Sequence, residues 1–203
     1  MSLEKLKLLL QSYQKYTYYF NITENKEEKR NQMTTLLLKQ IKLLEKIKQT
    51  KEIMILNIGT NQKGFANFDT FGPRIGSKLT HLKSVPNITL YGSMQQPLHA
   101  QNLKEFYHKT KRERKEKIVI VTDAFRGNTQ YYQTIQIRNQ GIYPGSAEQK
   151  HLPKLGDISI GGQTATIEGK ETKTDEEMEQ FSNIAAEIIE KTIQLSKKRE
   201  NPF

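Results

Sequence analysis

The chain has 203 residues, no cysteine, no tryptophan and a formal net charge of +10. That length holds one core-forming domain with room for an appended piece. The missing cysteines exclude a disulfide scaffold, a thiol nucleophile and every Cys-ligated zinc or iron–sulfur site, and they fit a reducing cytoplasm.

The chain opens M-S-L-E-K-L-K-L-L-L, without a long apolar core or a small-residue cleavage site, and reads as a helix over Ser2 to Tyr19 rather than a signal peptide. Its tyrosines 13, 16, 18 and 19, with Phe20, form a cluster that packs on the domain or on a second copy. Asn21 to Lys29 is polar and reads as a linker. Met33 to Ile47 places Leu36, Leu37, Ile41, Leu44 and Ile47 at steps of three and four, the pattern of an amphipathic helix. The expected organisation is an N-terminal helical extension over 1–50, an α/β domain over 51–197 and a tail over 198–203. Homo-oligomerisation is expected through the N-terminal helices. No apolar run approaches the roughly 20 residues of a membrane span.

From Ile53 strands and helices alternate. Strand Ile53–Ile58 leads through Gly59-Thr60 and a polar loop to Asp69, and Gly72-Pro73 opens a helix, since proline suits a first helical turn. Ile88–Tyr91 is a second strand and Leu98 to His108 a helix. Lys109 to Lys117 is a solvated basic helix end. Lys117–Val121 is a third strand running into Thr122-Asp123-Ala124. Tyr132–Arg138 alternates as a half-exposed strand does. Leu155–Ile160 is a fifth strand ending at Gly161-Gly162. Thr174-Asp175-Glu176-Glu177 starts the last helix, its acids suited to the helix N-terminus. This order predicts a three-layer α/β/α sandwich with a mixed, mostly parallel sheet. Right-handed crossovers would bring the first and third of these strands together. Ligands and chemistry collect at the carboxyl ends of strands in such sheets. Two acids there, Asp69 and Asp123, are therefore the candidate site, because perturbed acids cluster in clefts.

Four stretches resemble, in order, the YyaC-type sporulation proteins, a family related to the spore germination protease and more distantly to the hydrogenase maturation proteases. They are N-I-G-T with F-D-T-F-G-P-R-I-G-S-K-L, then L-Y-G-S-M-Q-Q-P-L-H-A-Q-N-L, then I-V-I-V-T-D-A, and finally I-Q-I-R-N-Q-G-I-Y-P-G-S followed by L-P-K-L-G-D-I-S-I-G-G. The resemblance covers about Met33 to Ile193 and implies a phosphorylase/hydrolase-like, germination-protease-like fold. It also implies a sporulation-associated peptidase of the cytoplasm, spore or forespore. In germination proteases one aspartate lies in a D-x-x-G-P element and another follows a strand in an I-D-A element; the matching positions here are Asp69 and Asp123. Two close carboxyls cannot both ionise cheaply. The ionised one can activate water while the protonated one donates to the scissile carbonyl.

The chain departs from the family pattern at Asn61, which stands where the family usually has aspartate after G-T, and at Ser159, which stands where the family tends to have histidine. His99 fits a P-x-H-A pattern and Asp157 is a possible third acid; these four are the expected substrate-binding residues. No cofactor is expected, and no tightly held transition metal, because carboxylates alone suit hard cations better. His81, His99, His108 and His151 have no metal-ligand spacing, and His151 is expected at the surface. A protein or peptide is the expected partner, an acidic one first given the charge; nucleic acid is not. The alternative function is a non-catalytic binding or regulatory module on the same fold.

Overall fold

The structure, a computed structural model, describes residues 16–23, 26–60, 67–144, 154–168 and 172–198. In chain order it contains strand β1 (Thr17–Asn21), helix α1 (Lys26–Lys48), strand β2 (Ile53–Asn57), helix α2 (Phe71–Lys78), strand β3 (Ile88–Tyr91), helices α3 (Leu103–Lys109) and α4 (Lys111–Glu116), strands β4 (Ile118–Gly127), β5 (Thr134–Arg138) and β6 (Ile158–Thr166), and helix α5 (Asp175–Lys198). Short 3-10 turns occupy Asn67–Thr70, Thr80–Ser84 and Thr129–Tyr131.

The strands form one mixed sheet in the order β1-β5-β6-β4-β2-β3. β3, β2, β4 and β6 run parallel; β5 runs antiparallel to β6, and β1 antiparallel to β5, so β5 alone opposes the other strands. The expected neighbourhood of β2 and β4 is present, in register from Ile53↔Ile118 to Asn57↔Thr122. β2 is buried at every position, as a central strand covered on both faces must be. On one face Met33, Leu37, Ile41 and Leu44 of α1 and Phe181, Ile184, Ile188 and Ile189 of α5 join Ile53, Ile55, Ile118 and Ile120 in the larger core. On the other, Leu98, Leu103 and Leu155 close over Met54, Leu56, Val119 and Val121, with Phe106 and Tyr107 packed against them. This is the predicted three-layer α/β/α arrangement. α5 starts with a reciprocal capping box: Thr174 N–H donates to Glu177 Oε2 (2.8 Å) and Glu177 N–H to Thr174 Oγ1 (3.2 Å).

Several elements differ from expectation. Residues 1–15 of the expected first helix lie outside the described residues, but Thr17–Asn21 is a strand, not a helix. T-Y-Y-F-N is rich in strand formers, and it pairs with β5 from Thr17↔Arg138 to Asn21↔Thr134. The expected linker gives way to α1 at Lys26, so residues 17–48 supply an outer strand and a layer helix to the same sheet. The tyrosines divide accordingly: Tyr16 OH pairs with Gln40 of α1, and Tyr19 stacks on Tyr131 at 4.6 Å. The helix expected from Leu98 begins at Leu103, because Leu98 forms an isolated parallel bridge with Ile58. β5 begins at Thr134 after a 3-10 turn. β4 and β6 both outrun their expected ends, zipping together as far as Gly127↔Thr166 with an irregularity at Phe125/Arg126. His151 lies outside the described residues. None of the described helices is long and apolar enough to cross a membrane.

Candidate active site

The sheet has a step in it. β2 stops pairing at Asn57, while β4 continues for five residues beyond Thr122, held only by β6. Asp123 is the first residue past the step. It is not beyond the strand, as the sequence suggested, but inside β4 where one neighbour has ended. Opposite it on β6 is Gly161, and opposite Ala124 is Gly162.

The chain leaving β2 turns back to fill the step. Ile58 N–H donates to Thr122 O (2.9 Å), Gly59 N–H to Leu98 O (3.0 Å) and Thr60 N–H to Asp69 O (3.1 Å). Gly59 has φ +146, a conformation that glycine adopts without a Cβ penalty, and a Cβ there would overlap the Asp69 carbonyl oxygen. The residue type at 59 thus sets where the Asp69 turn sits. That turn, Asn67–Thr70, packs on β4 and β6 and runs directly into α2. Phe71, fully buried, lays its ring over Gly162, where a Cβ would come within 2.7 Å, and meets Phe181 of α5 at 5.8 Å between centroids. Arg74, one turn on, donates to Thr70 Oγ1 (3.1 Å) and Glu179 (2.7 Å) and pairs with Asp175, tying the Asp69 turn to α5. Beneath the rim, Thr122 Oγ1 donates to Asn57 Oδ1 (2.9 Å) and Asn57 Nδ2 to Tyr91 O (2.9 Å), a buried polar crosslink over β4, β2 and β3. Asn57 is fully enclosed; its crosslink was not anticipated, and its only sequence signal is a polar residue inside the apolar run I-M-I-L-N-I.

Asp123 is half-buried as a residue, and desolvation pushes its carboxyl well above the usual carboxylate range. The charge of Asp69 pushes in the same direction, and a hydrogen bond from the Ala124 backbone opposes both weakly. The two acids therefore feel one another at one rim of the sheet.

The other expected site residues distribute differently. Asn61 lies outside the described residues. His99 stays at the rim: its neighbour Leu98 bridges Ile58, its backbone N–H donates to Asn102 Oδ1 (2.9 Å), and its Nδ1 accepts from Gln101 N–H (3.3 Å). Asp157 is at the opposite, N-terminal end of β4 and β6. There its Oδ2 accepts from Val119 N–H (2.7 Å) and from Lys48 Nζ (2.6 Å), fastening the end of α1 to the sheet. It sits too far along the strands to act as a third acid with Asp123. Asp157→Ala would orphan the buried Val119 N–H. We expect a loss of about 1–3 kcal/mol in urea denaturation, with no change in any activity that depends on Asp69 and Asp123. Ser159 is buried opposite Val121, two residues short of the Asp123 level, and its hydroxyl makes no hydrogen bond among the described residues. Enclosure removes it from direct contact with a substrate. Among the described residues no group of three or more His, Cys, Asp or Glu side chains converges as a metal site.

Residues 21–191 match the family described as a protein of unknown function, DUF1256, and the chain belongs to that family. Over 112 residues it is 32% identical to the uncharacterized protein YyaC of Bacillus subtilis (strain 168), which covers 55% of this chain and 53% of that protein. The chain thus spans about half the length of the curated relative it matches.

Proposed function

We propose that this DUF1256 member is a peptidase that hydrolyses a protein substrate with the Asp69–Asp123 pair. The observation that carries the reading is the raised proton affinity of Asp123 beside a second carboxyl at the step in the sheet. Two acids pushed apart in proton affinity can divide the work of general base and general acid. Asp69, as carboxylate, takes a proton from the attacking water, whose oxygen adds to the scissile carbonyl carbon. Asp123, kept protonated by burial, donates to the carbonyl oxygen. As the C–N bond breaks, Asp69 passes the proton it took to the leaving amine, and Asp123 takes one back from a hydroxyl of the tetrahedral intermediate as the new carboxyl's C=O re-forms, so both acids return to their starting states and the products share the elements of water. The surplus of positive charge makes acidic polypeptides the first substrates to try.

The test is a pH profile of cleavage on a panel of acidic and basic unfolded proteins. Activity should fall as pH rises through the elevated Asp123 value, since the acid then loses its proton. An activity that climbs through neutral pH without a descending limb, or no cleavage of any panel member between pH 4 and 9, would reject the acid-pair assignment.

The same ionisation has a sign in stability. Native Asp123 keeps a proton that an unfolded aspartate sheds near its ordinary value of 3.8. Native protein therefore binds more protons in the window above that value, and stability declines as pH rises across it. Asparagine retains an oxygen for the Ala124 N–H but carries no charge. Asp123→Asn should melt higher than the parent at pH 7, with the difference vanishing below about pH 4. Thermal melts at the two pH values check this.

A further inference from the structure

β3 is an outer strand, paired among the described residues only with β2. Ile53 N–H donates to Asn87 O (2.9 Å), and the alternation of a parallel ladder then turns Thr89 and Tyr91 toward β2 as well. The Asn57 side chain, reaching Tyr91 O, fits that phase. Leu90 therefore directs both its backbone groups outward, and Ile88 its carbonyl, since Ile88 N–H is already given to Val85 O (3.2 Å). Such an edge is a template for another strand.

This edge is not flush with the surface. Its carboxyl end, at Leu90 and Tyr91, forms the floor of a groove of about 460 Å³. One wall, with Thr80 and Lys83, belongs to the α2 layer; the other, with Asn102 and Phe106, to the α3 layer; and His99 stands at the end nearest the rim. From these features we infer that the groove binds an extended segment of acidic polypeptide, added to the sheet beside β3. The binding stands independently of chemistry; only the segment's subsequent cleavage rests on the peptidase reading.

Side chains of an added strand point alternately to the two layers. One set meets Lys83, which is exposed and joins no ion pair among the described residues. The other set meets the Tyr91–Phe106 edge-to-face pair, 4.9 Å between centroids. The best-matched segment alternates acidic and apolar residues, with main-chain hydrogen bonds giving affinity and the two walls giving selectivity. The groove also leads to the acids. Leu98, Ile58–Gly59 and Thr122 lie side by side through the two rim hydrogen bonds, so the His99 end is about 10 Å, two strand spacings, from the Asp123 level. An extended chain crosses that gap in about three residues, which sets where cleavage falls relative to the anchored segment.

The experiment uses the full chain carrying Asp123→Asn, so that binding is read without cleavage. The probes are a fluorescein-labelled octapeptide of alternating glutamate and valine, the same peptide N-methylated at every second amide, and a lysine–valine counterpart, followed by fluorescence anisotropy. The glutamate–valine peptide should bind and the other two should bind at least about tenfold more weakly, a difference of about 1.4 kcal/mol. Adding Lys83→Glu should reverse the charge preference, and Thr80→Trp, which fills the groove from an exposed position, should weaken all three peptides. Circular dichroism verifies that both variants fold. Equal binding of methylated and unmethylated peptides, affinities unmoved by both substitutions, or no binding up to about 1 mM would overturn the groove. Specific binding with no cleavage by the parent chain would retain the groove and remove the peptidase; cleavage indifferent to both groove variants would do the reverse.

Discussion

Hydrolysis by Asp69→Asn and by Asp123→Asn is expected to fall by about 10²–10⁴-fold in each case, with the fold intact. On the proposed mechanism neither acid can stand in for the other, because one serves as base and the other as acid. Asp123 is desolvated inside β4 and burdened by a neighbouring negative charge, so it holds its proton. Asp69 enters on a separate turn, fixed by Gly59, Phe71 and Arg74 rather than by the ladder of β4. The double variant should be little worse than either single one, since residues that act as a unit are not additive. Rates on a single cleavable panel protein, with far-ultraviolet circular dichroism as the fold control, measure this. Two fully active single variants would transfer the chain to the binding-module reading.

The largest expected loss of stability comes from Phe71→Ala, about 3–5 kcal/mol. The ring is completely enclosed and fills the space that Gly162 leaves open, with Phe181 on its far side. Strand backbone on one side and a long helix on the other limit how far the site can collapse, which is what makes a cavity costly. Urea denaturation should show a lower midpoint at an unchanged slope. Phe71→Leu, which refills much of the volume, should recover a large part of the loss. Because Phe71 is two residues from Asp69, the alanine variant should also lose activity before it loses its fold.

The α/β alternation was legible because buried parallel strands write themselves as uninterrupted apolar runs: I-M-I-L and I-V-I-V can be little else at that length. The acids were legible because they follow those runs. What local pattern could not give was the extent of pairing. Beyond Val121 the letters T-D-A-F-R-G look like a loop, and they are a strand only because β6 runs alongside with G-G-Q-T-A-T, two glycines that make room for Phe71 and Phe125. Ser159 and Asp157 misled for a related reason. Spacing along a strand fixes which face and which level a residue occupies only when the register is known, and a shift of two residues separates Asp123's partner from an enclosed position. Thr17 to Tyr19 was read as the end of a helix because leucines precede it, while the strand's partner in β5 lies more than a hundred positions later in the chain.

That last separation matters during synthesis. The ribosome delivers β1 well before the strand it must join, β5, which follows only after α1 and the whole β2–β4 region. At typical elongation rates the wait is on the order of ten seconds. Throughout it, an uncharged run of aromatic residues, T-Y-Y-F-N, has no ladder to enter. Long-range pairing of this kind is slow to form and leaves the nascent chain open to misassociation. The outer strand that completes the sheet is thus exposed to misassociation for longer than the strands whose partners are synthesised next to them.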